Sequence, residues 1–177
     1  MKHNLTTKLQ AIFLAITLLA VSASCQKGKD AVSNTPRATD VPDEIVGTWY
    51  YGDVSSTEIV SNGTWSNVVG SGQSYTFRKD GTFEFGYRNY AMVGTCSNEG
   101  MAYRKGTFTV NGNQITLYDN YAKIMEQHSC DPTQNYDRNM DKKSGEVIVA
   151  QAGQDDYGNA GLYLSYLNGN PSFFQKK

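Results

Sequence analysis

The chain has 177 residues, 16 basic and 17 acidic, for a net charge of −1, which bounds it to about one domain. No run of like charge is long enough to make a polybasic face, so phosphate neutralisation, and with it nucleic-acid binding, is disfavoured. Twelve Tyr, seven Phe and two Trp favour pleated, half-buried surfaces over helices.

The chain opens on Met1-Lys2-His3, with Lys8 just ahead of an apolar run from Leu9 to Val21 that only Gln10 and Thr17 interrupt. A bilayer-spanning helix needs about 20 apolar residues, so the run is too short to cross. A basic start, a short apolar centre and small residues at Ser22, Ala23 and Ser24 describe a secretory signal peptide. The stretch "SASC" resembles the lipobox of bacterial lipoproteins, although Ser22 stands where that motif usually carries Leu. The resemblance implies that residues 1–24 are removed and that Cys25 becomes the lipidated first residue. The rival reading is an ordinary signal peptide with a Cys near its cut site. Gln26 after the Cys, rather than Asp, resembles lipoproteins sorted to the outer membrane. The expected address is therefore the bacterial cell envelope, with membrane contact through the N-terminal lipid only and the leaflet left open.

Removal of the leader leaves 177 − 24 = 153 residues with 16 − 2 = 14 basic and 17 acidic side chains, net −3. Residues 26–41, "QKGKDAVSNTPRATDV", hold almost nothing to bury and are predicted to form a flexible tether behind Cys25. The folded domain is expected over 42–177. "PDEIVG" (42–47) reads as one short turn, with Pro42 at its start and Gly47 at its end.

From there strand patterns dominate. "IVGTWYYG" (45–52) is β-rich. Part of 55–69 is expected as strand around Ser61-Asn62-Gly63. "QSYTFRKDGTFEFGYRNY" (73–90) is the clearest hairpin: Tyr75 and Phe77 share one face, Asp80-Gly81 turns, and Phe83, Phe85 and Tyr87 return. Asp-Gly suits the positive φ of a two-residue hairpin turn. "YRKGTFTVNGNQITLYD" (103–119) repeats the pattern, with Asn111-Gly112-Asn113 as the turn. "GEVIVAQ" (145–151) and "GLYLSYL" (161–167) add two strands across the polar segment 152–160, and "SFFQKK" ends the chain as a half-strand. "YAKIMEQ" reads equally as strand or helical turn, and "HSCDPTQNYDRNMDKKSG" as polar loop. Eight to ten strands with short connections predict an all-β fold, an antiparallel up-and-down β-barrel of about eight strands, since closure removes the exposed edges.

"EIVGTWYY", then "YTFRKDGTFEF", then "KGTFTVNGNQITLY" resemble, in that order, the G-x-W signature and repeated hairpins of the bacterial lipocalin-like lipoproteins. The likeness spans about residues 45–177. It implies a barrel of about eight antiparallel strands plugged at one end by Trp49, with a small hydrophobic molecule as the ligand class. In the lipocalin pattern an Arg of the last strand packs on that Trp; here only Lys176 and Lys177 follow Arg138 in that region, and the T-D-Y signature is missing.

Cys96 and Cys130 remain once Cys25 is assigned to lipid. An even count in an oxidising envelope predicts a disulfide, worth about 3–4 kcal/mol by loop entropy. The rival is a metal site around His128, Cys130 and Asp131, but His128 is the sole His after the leader and no C-x-x-C occurs. By alternation Phe77, Phe83, Phe85, Phe108, Val110, Ile115, Leu117, Leu162 and Leu164 face inward. Trp49, Phe77, Phe83, Phe85, Phe108, Leu117 and Leu164 are the candidate ligand-binding residues. In a hollow barrel they line a pocket; in a filled one, which packing favours, they are the core.

Glu84 and Arg88 sit on the opposite face, as a head-group reader or a solvated pair. Asp155, Asp156 and Asn159 offer oxygens in a Gly-containing loop without the full calcium-loop spacing. No G-x-S-x-G elbow, H-E-x-x-H or phosphate loop is present, so neither an enzyme nor a cofactor is expected. Two functions remain: an envelope-anchored carrier of a small hydrophobic molecule, or a surface interaction protein with a filled barrel and Tyr-rich contact loops near Tyr87, Tyr90, Tyr118, Tyr121 and Tyr136.

Overall fold

In a computed structural model the described residues are 35–53, 58–59, 65–66 and 70–176. The leader 1–24 and Cys25 lie outside them. The strands in chain order are β1 (Gly47–Gly52), β2 (Glu58–Ile59), β3 (Trp65–Ser66), β4 (Gly72–Phe77), β5 (Thr82–Val93), β6 (Cys96–Asn111), β7 (Gln114–His128), β8 (Tyr136–Asn139), β9 (Ser144–Gln154), β10 (Ala160–Tyr166) and β11 (Ser172–Gln175). A short 3-10 turn, Pro132–Gln134, precedes β8.

Eight of these strands close into an antiparallel barrel in the order β1-β4-β5-β6-β7-β9-β10-β11, each pairing with its neighbour. Apart from β2, β3 and β8, each strand pairs with the next in sequence, as the alternation and short turns predict. The closing seam is brief, a single registered pair between Tyr50 and Gln175. β2 and β3 form a separate two-stranded ribbon with Ile59 opposite Trp65.

Alternation decides the core. Phe77, Phe83, Phe85, Phe108, Ile115, Leu117, Leu162 and Leu164 are all buried in one cluster with Trp49, Tyr75, Ile148 and Phe174, and Val110 packs at its margin. Glu84 lies on the outer face as expected. It pairs with Arg78 at 2.7 Å rather than with Arg88, which pairs with Glu99 at 2.5 Å. The supposed Glu84–Arg88 unit is therefore two separate cross-strand and turn pairs.

Four sequence readings need correction. The tether does not run to residue 41: the compact unit starts at Thr35. Ala38 N–H donates to Phe108 O at 2.6 Å, Thr107 Oγ1 donates to Pro36 O at 2.8 Å, and Val41 is buried in the core. The polar residues of the segment are tolerated because its backbone makes these hydrogen bonds and only Ala38 and Val41 pack on the core. The Asp80-Gly81 turn has three residues, not two. Arg78 N–H donates to Thr82 O at 2.9 Å and Gly81 alone supplies the left-handed φ of +72°, the three-residue hairpin form. A Cβ at Gly81 would sit 2.5 Å from Ala38 O, so the turn also leaves room for the N-terminal segment. Next, 136–139 is strand and not loop, while of the two readings of 121–127 it is the strand that forms. Finally, the tyrosines expected on contact loops, Tyr87, Tyr90, Tyr118, Tyr121 and Tyr136, lie on strands β5, β7 and β8.

The last two corrections share a cause. β5, β6 and β7 have 12, 16 and 15 residues, far longer than the barrel wall. β4 ends its pairing at Arg88 and β9 ends at Tyr118. The three long strands continue past that point, joined by β8 along Lys123–Glu126, as a four-stranded blade.

Candidate functional site: the open end of the barrel

At the closed end, Trp49 is buried and its Nε1–H donates to Ile45 O at 2.8 Å. The 42–46 turn, held by Ile45 N–H to Pro42 O at 3.2 Å, brings Val41 and Ile45 under the barrel. Lys176 places its Nζ 4.5 Å from the Trp49 ring centroid. Trp49 and Ile45 fill the axis at this end, and a cleft of about 260 Å³ remains between the 42–45 turn and Val110, Ile115 and Ala150.

The seven candidate ligand-binding side chains are brought together, but against one another. Phe77 and Phe108 meet edge to face at 5.3 Å, and Tyr75 contacts Phe77, Phe85 and Phe174 at 5.6, 4.8 and 5.8 Å. Trp49, Phe83, Leu117 and Leu164 belong to the same buried cluster. They pack as a core.

At the opposite end the barrel opens. Tyr75, the register partner of Trp49, lies against Tyr166, and burial, then its interaction and hydrogen bond with Tyr166, hold its phenol well above the ordinary range. Beside it is a recess of about 100 Å³ lined by Gln73, Tyr75, Ile148, Leu164, Tyr166 and Phe174 among others.

The barrel wall ends at a buried ion cluster. Arg104 donates through Nε and Nη2 to the Asp119 carboxylate at 2.9–3.2 Å, and its Nη1 lies 2.6 Å from Glu146. Asp119 also accepts from Lys143 N–H at 3.0 Å. Burial opposes the charge on Glu146, but hydrogen bonds from Lys143 and Arg104 outweigh it and leave its carboxyl below the usual range. The cluster sits where β9 leaves β7. A bulge opposite Lys105/Gly106 accommodates Asn120, and a Cβ on Gly106 would meet Tyr118 O at 1.9 Å. Only glycine lets the strands approach there.

Past this point the inner face of the barrel continues onto the blade. Register sets three rows across it: Tyr87–Ala102–Ile124–Arg138, then Asn89–Gly100–Glu126–Tyr136, then Ala91–Asn98–His128. The first two rows without Arg138, together with Asn98, line a groove of about 240 Å³. Beside it His128 Nδ1 is 2.9 Å from Asn98 Oδ1 and its Nε2 is 3.0 Å from Glu126. A hydrogen bond from Tyr136, then the His128 charge, hold the Glu126 carboxyl below its usual range. Both imidazole nitrogens thus face side-chain oxygens.

Cys96 and Cys130 form the expected disulfide, which ties the root of β6 to the loop after β7. Cys130 is thereby removed from the rival metal reading. The Asp155 loop does not present free oxygens. Its carboxylate accepts from the backbone of Tyr157 and Asn159 and from the side chains of Asn159 and Gln175, all at 2.8–2.9 Å, so it is a structural turn acceptor.

Sequence reasoning did not find Asn98, Gly100, Ala102, Glu126 and His128 as one surface. The signal was present in "CSNEGMAY": Asn98, Gly100 and Ala102 are small or polar, and they alternate with Glu99, Met101 and Tyr103. Compared with family models, curated proteins and solved structures, the chain matches none of them.

Proposed function

We propose that this protein is a binding module of the bacterial cell envelope, anchored through lipid on Cys25, which takes its ligand at the open end of a lipocalin-like barrel. The observation that carries the reading is the continuity of one face. The row that buries Phe83 and Phe85 inside the barrel emerges as Tyr87 and Asn89 on the blade. The packed core supports reception at the mouth and blade, since a ligand in the depth of the barrel has to displace touching aromatic rings. Concave sites with apolar walls and few placed polar groups are the usual form of small-molecule sites.

The test is native mass spectrometry of the mature chain after incubation with envelope extracts. A retained small molecule, lost on Tyr166→Leu or on blade substitutions, supports the reading; a chain that retains nothing overturns it. Cys25→Ser is expected to move the protein from the membrane fraction to the soluble fraction.

One observation favours a second reading, contact with another protein. Met92 and Val93 at the blade tip are 62% and 74% exposed, beside the exposed Tyr90. Met92→Ser with Val93→Ser separates the two, removing protein capture while leaving small-molecule retention unchanged.

A further inference from the structure

We propose that the trough on the inner face of the blade binds a neutral saccharide about two rings long. This rests on the reading that the open end is the binding face, and names the ligand class.

The trough has two aromatic margins and a low floor. Tyr87 on β5 and Tyr136 on β8 stand at its sides. They are separated by three strand intervals, or about 14 Å of sheet at the usual spacing. Between them, Gly100 and Ala102 keep the floor low. A Cβ built on Gly100 meets nothing within 4 Å, so the space above it is open. Polar groups cross that floor in register: Asn89 on one side of Gly100, Glu126 on the other. The Asn89 carboxamide has no side-chain partner among the described residues.

Charge narrows the ligand class. The Glu126 carboxylate is already engaged by His128 and Tyr136, and Arg138 lies over the Tyr136 ring at 5.0 Å. No Lys or Arg lines the trough, so an anionic ligand finds no cation among the lining residues, and a cationic one must displace His128 from Glu126. An acyl chain would strip water from the Asn89 amide and offer it no hydrogen bond in return, which costs affinity. A ligand with flat C–H faces and several hydroxyls satisfies both the tyrosine rings and the amide and carboxylate groups.

The test uses the intact mature chain and three defined probes, cellobiose, maltose and N,N′-diacetylchitobiose, read by saturation-transfer NMR and by titration calorimetry. At least one probe is expected to bind, with saturation concentrated on its ring C–H protons. Gly100→Leu fills the open space above the floor without a backbone clash and is expected to weaken binding at least tenfold while leaving the thermal midpoint in place. Tyr136→Phe keeps the ring and is expected to retain more affinity than Tyr136→Ala. Absence of binding by all three probes, or equal binding by Gly100→Leu, overturns the proposal. An envelope molecule retained by the wild type, lost in Gly100→Leu and shown to be no saccharide overturns the ligand class while the open-end reading stands. Retention abolished by Tyr166→Leu but untouched by Gly100→Leu places the ligand in the barrel mouth and overturns the trough.

Discussion

Lys176 holds its ammonium 4.5 Å from the centroid of the Trp49 ring, so a residue just past the last strand seals the ring on the first. The lipocalin pattern carries an Arg in this role; here the following Lys takes the place. A cation over an indole contributes about 0.5–1 kcal/mol where the cation is exposed. Lys176→Ala is therefore expected to lower stability by about that amount and to shift the Trp49 emission. Lys176→Arg restores both. Urea titration followed by fluorescence reads the two together, and an unchanged midpoint in the alanine variant would show that the contact contributes nothing.

Arg104 is the centre of the ion cluster at the barrel rim, with Asp119 fully buried as a side chain and Glu146 nearly so. Removing one partner of a buried pair leaves an uncompensated charge and costs about 3–5 kcal/mol. Arg104→Met is expected in that range. Arg104→Lys recovers only part of it, because an ammonium cannot reproduce the two-nitrogen contact with Asp119. Combining Arg104→Met with Asp119→Asn is expected to cost less than the sum of the two, read by a double-mutant cycle in denaturant.

Two glycines on β6 make opposite predictions. Gly106→Ala drives a Cβ into Tyr118 O and is expected to be strongly destabilising, because the bulge has to open. Gly100→Ala meets empty space and is expected to be neutral or to stabilise by about 0.5–1 kcal/mol, the usual gain of Ala over Gly within a strand. Thermal melts of the pair check this directly.

The Cys96–Cys130 bridge closes a 34-residue span, for which loop entropy gives about 3–4 kcal/mol. Cys96→Ser with Cys130→Ser is expected to lower stability toward that value. Because the bridge ties the blade and not the barrel, amide exchange should rise first in β8 and the tips of β6 and β7. Uniform loss of protection across β1 and β10 would contradict that placement.

Stability should fall at both pH extremes. Hydrogen bonds hold the carboxyls of Asp80 (from Thr82), Glu126 (from Tyr136), Asp131 (from Thr133) and Asp155 (from Asn159) below their ordinary values. Glu146 is lowered despite its burial. A depressed native value means that the unfolded chain takes up protons first. The stabilisation is thus present above pH about 4.3 and lost as pH falls through the native values. Tyr75 and Tyr103 go the other way. Burial raises both, Tyr103 to about 12, so their contribution is complete below pH about 10 and is lost as pH rises beyond it. Urea midpoints across the acid and alkaline ranges should give a plateau between these limits; a midpoint that rises on acidification would contradict the carboxylate assignments.

The barrel was legible from local patterns in the chain. Phe83 and Phe85 inside with Glu84 outside, the turns at Gly81 and Gly112, the buried Trp49 and the pairing of Cys96 with Cys130 all follow from side-chain alternation, local turn chemistry and cysteine count. These are short-range properties, legible wherever large apolar residues mark one face. The blade and the groups it presents emerge only once the strands are paired. Segments 91–102 and 120–128 carry few large apolar side chains in strict alternation, so their extension as strands is set by pairing with one another, with Met101 opposite Met125 buried between them. The meeting of Arg104 with Asp119 and Glu146, of Lys176 with Trp49, and of Asn98 with Glu126 and His128 depends on strand register and closure. Such contacts join residues distant in sequence, and no local pattern encodes the distance between them.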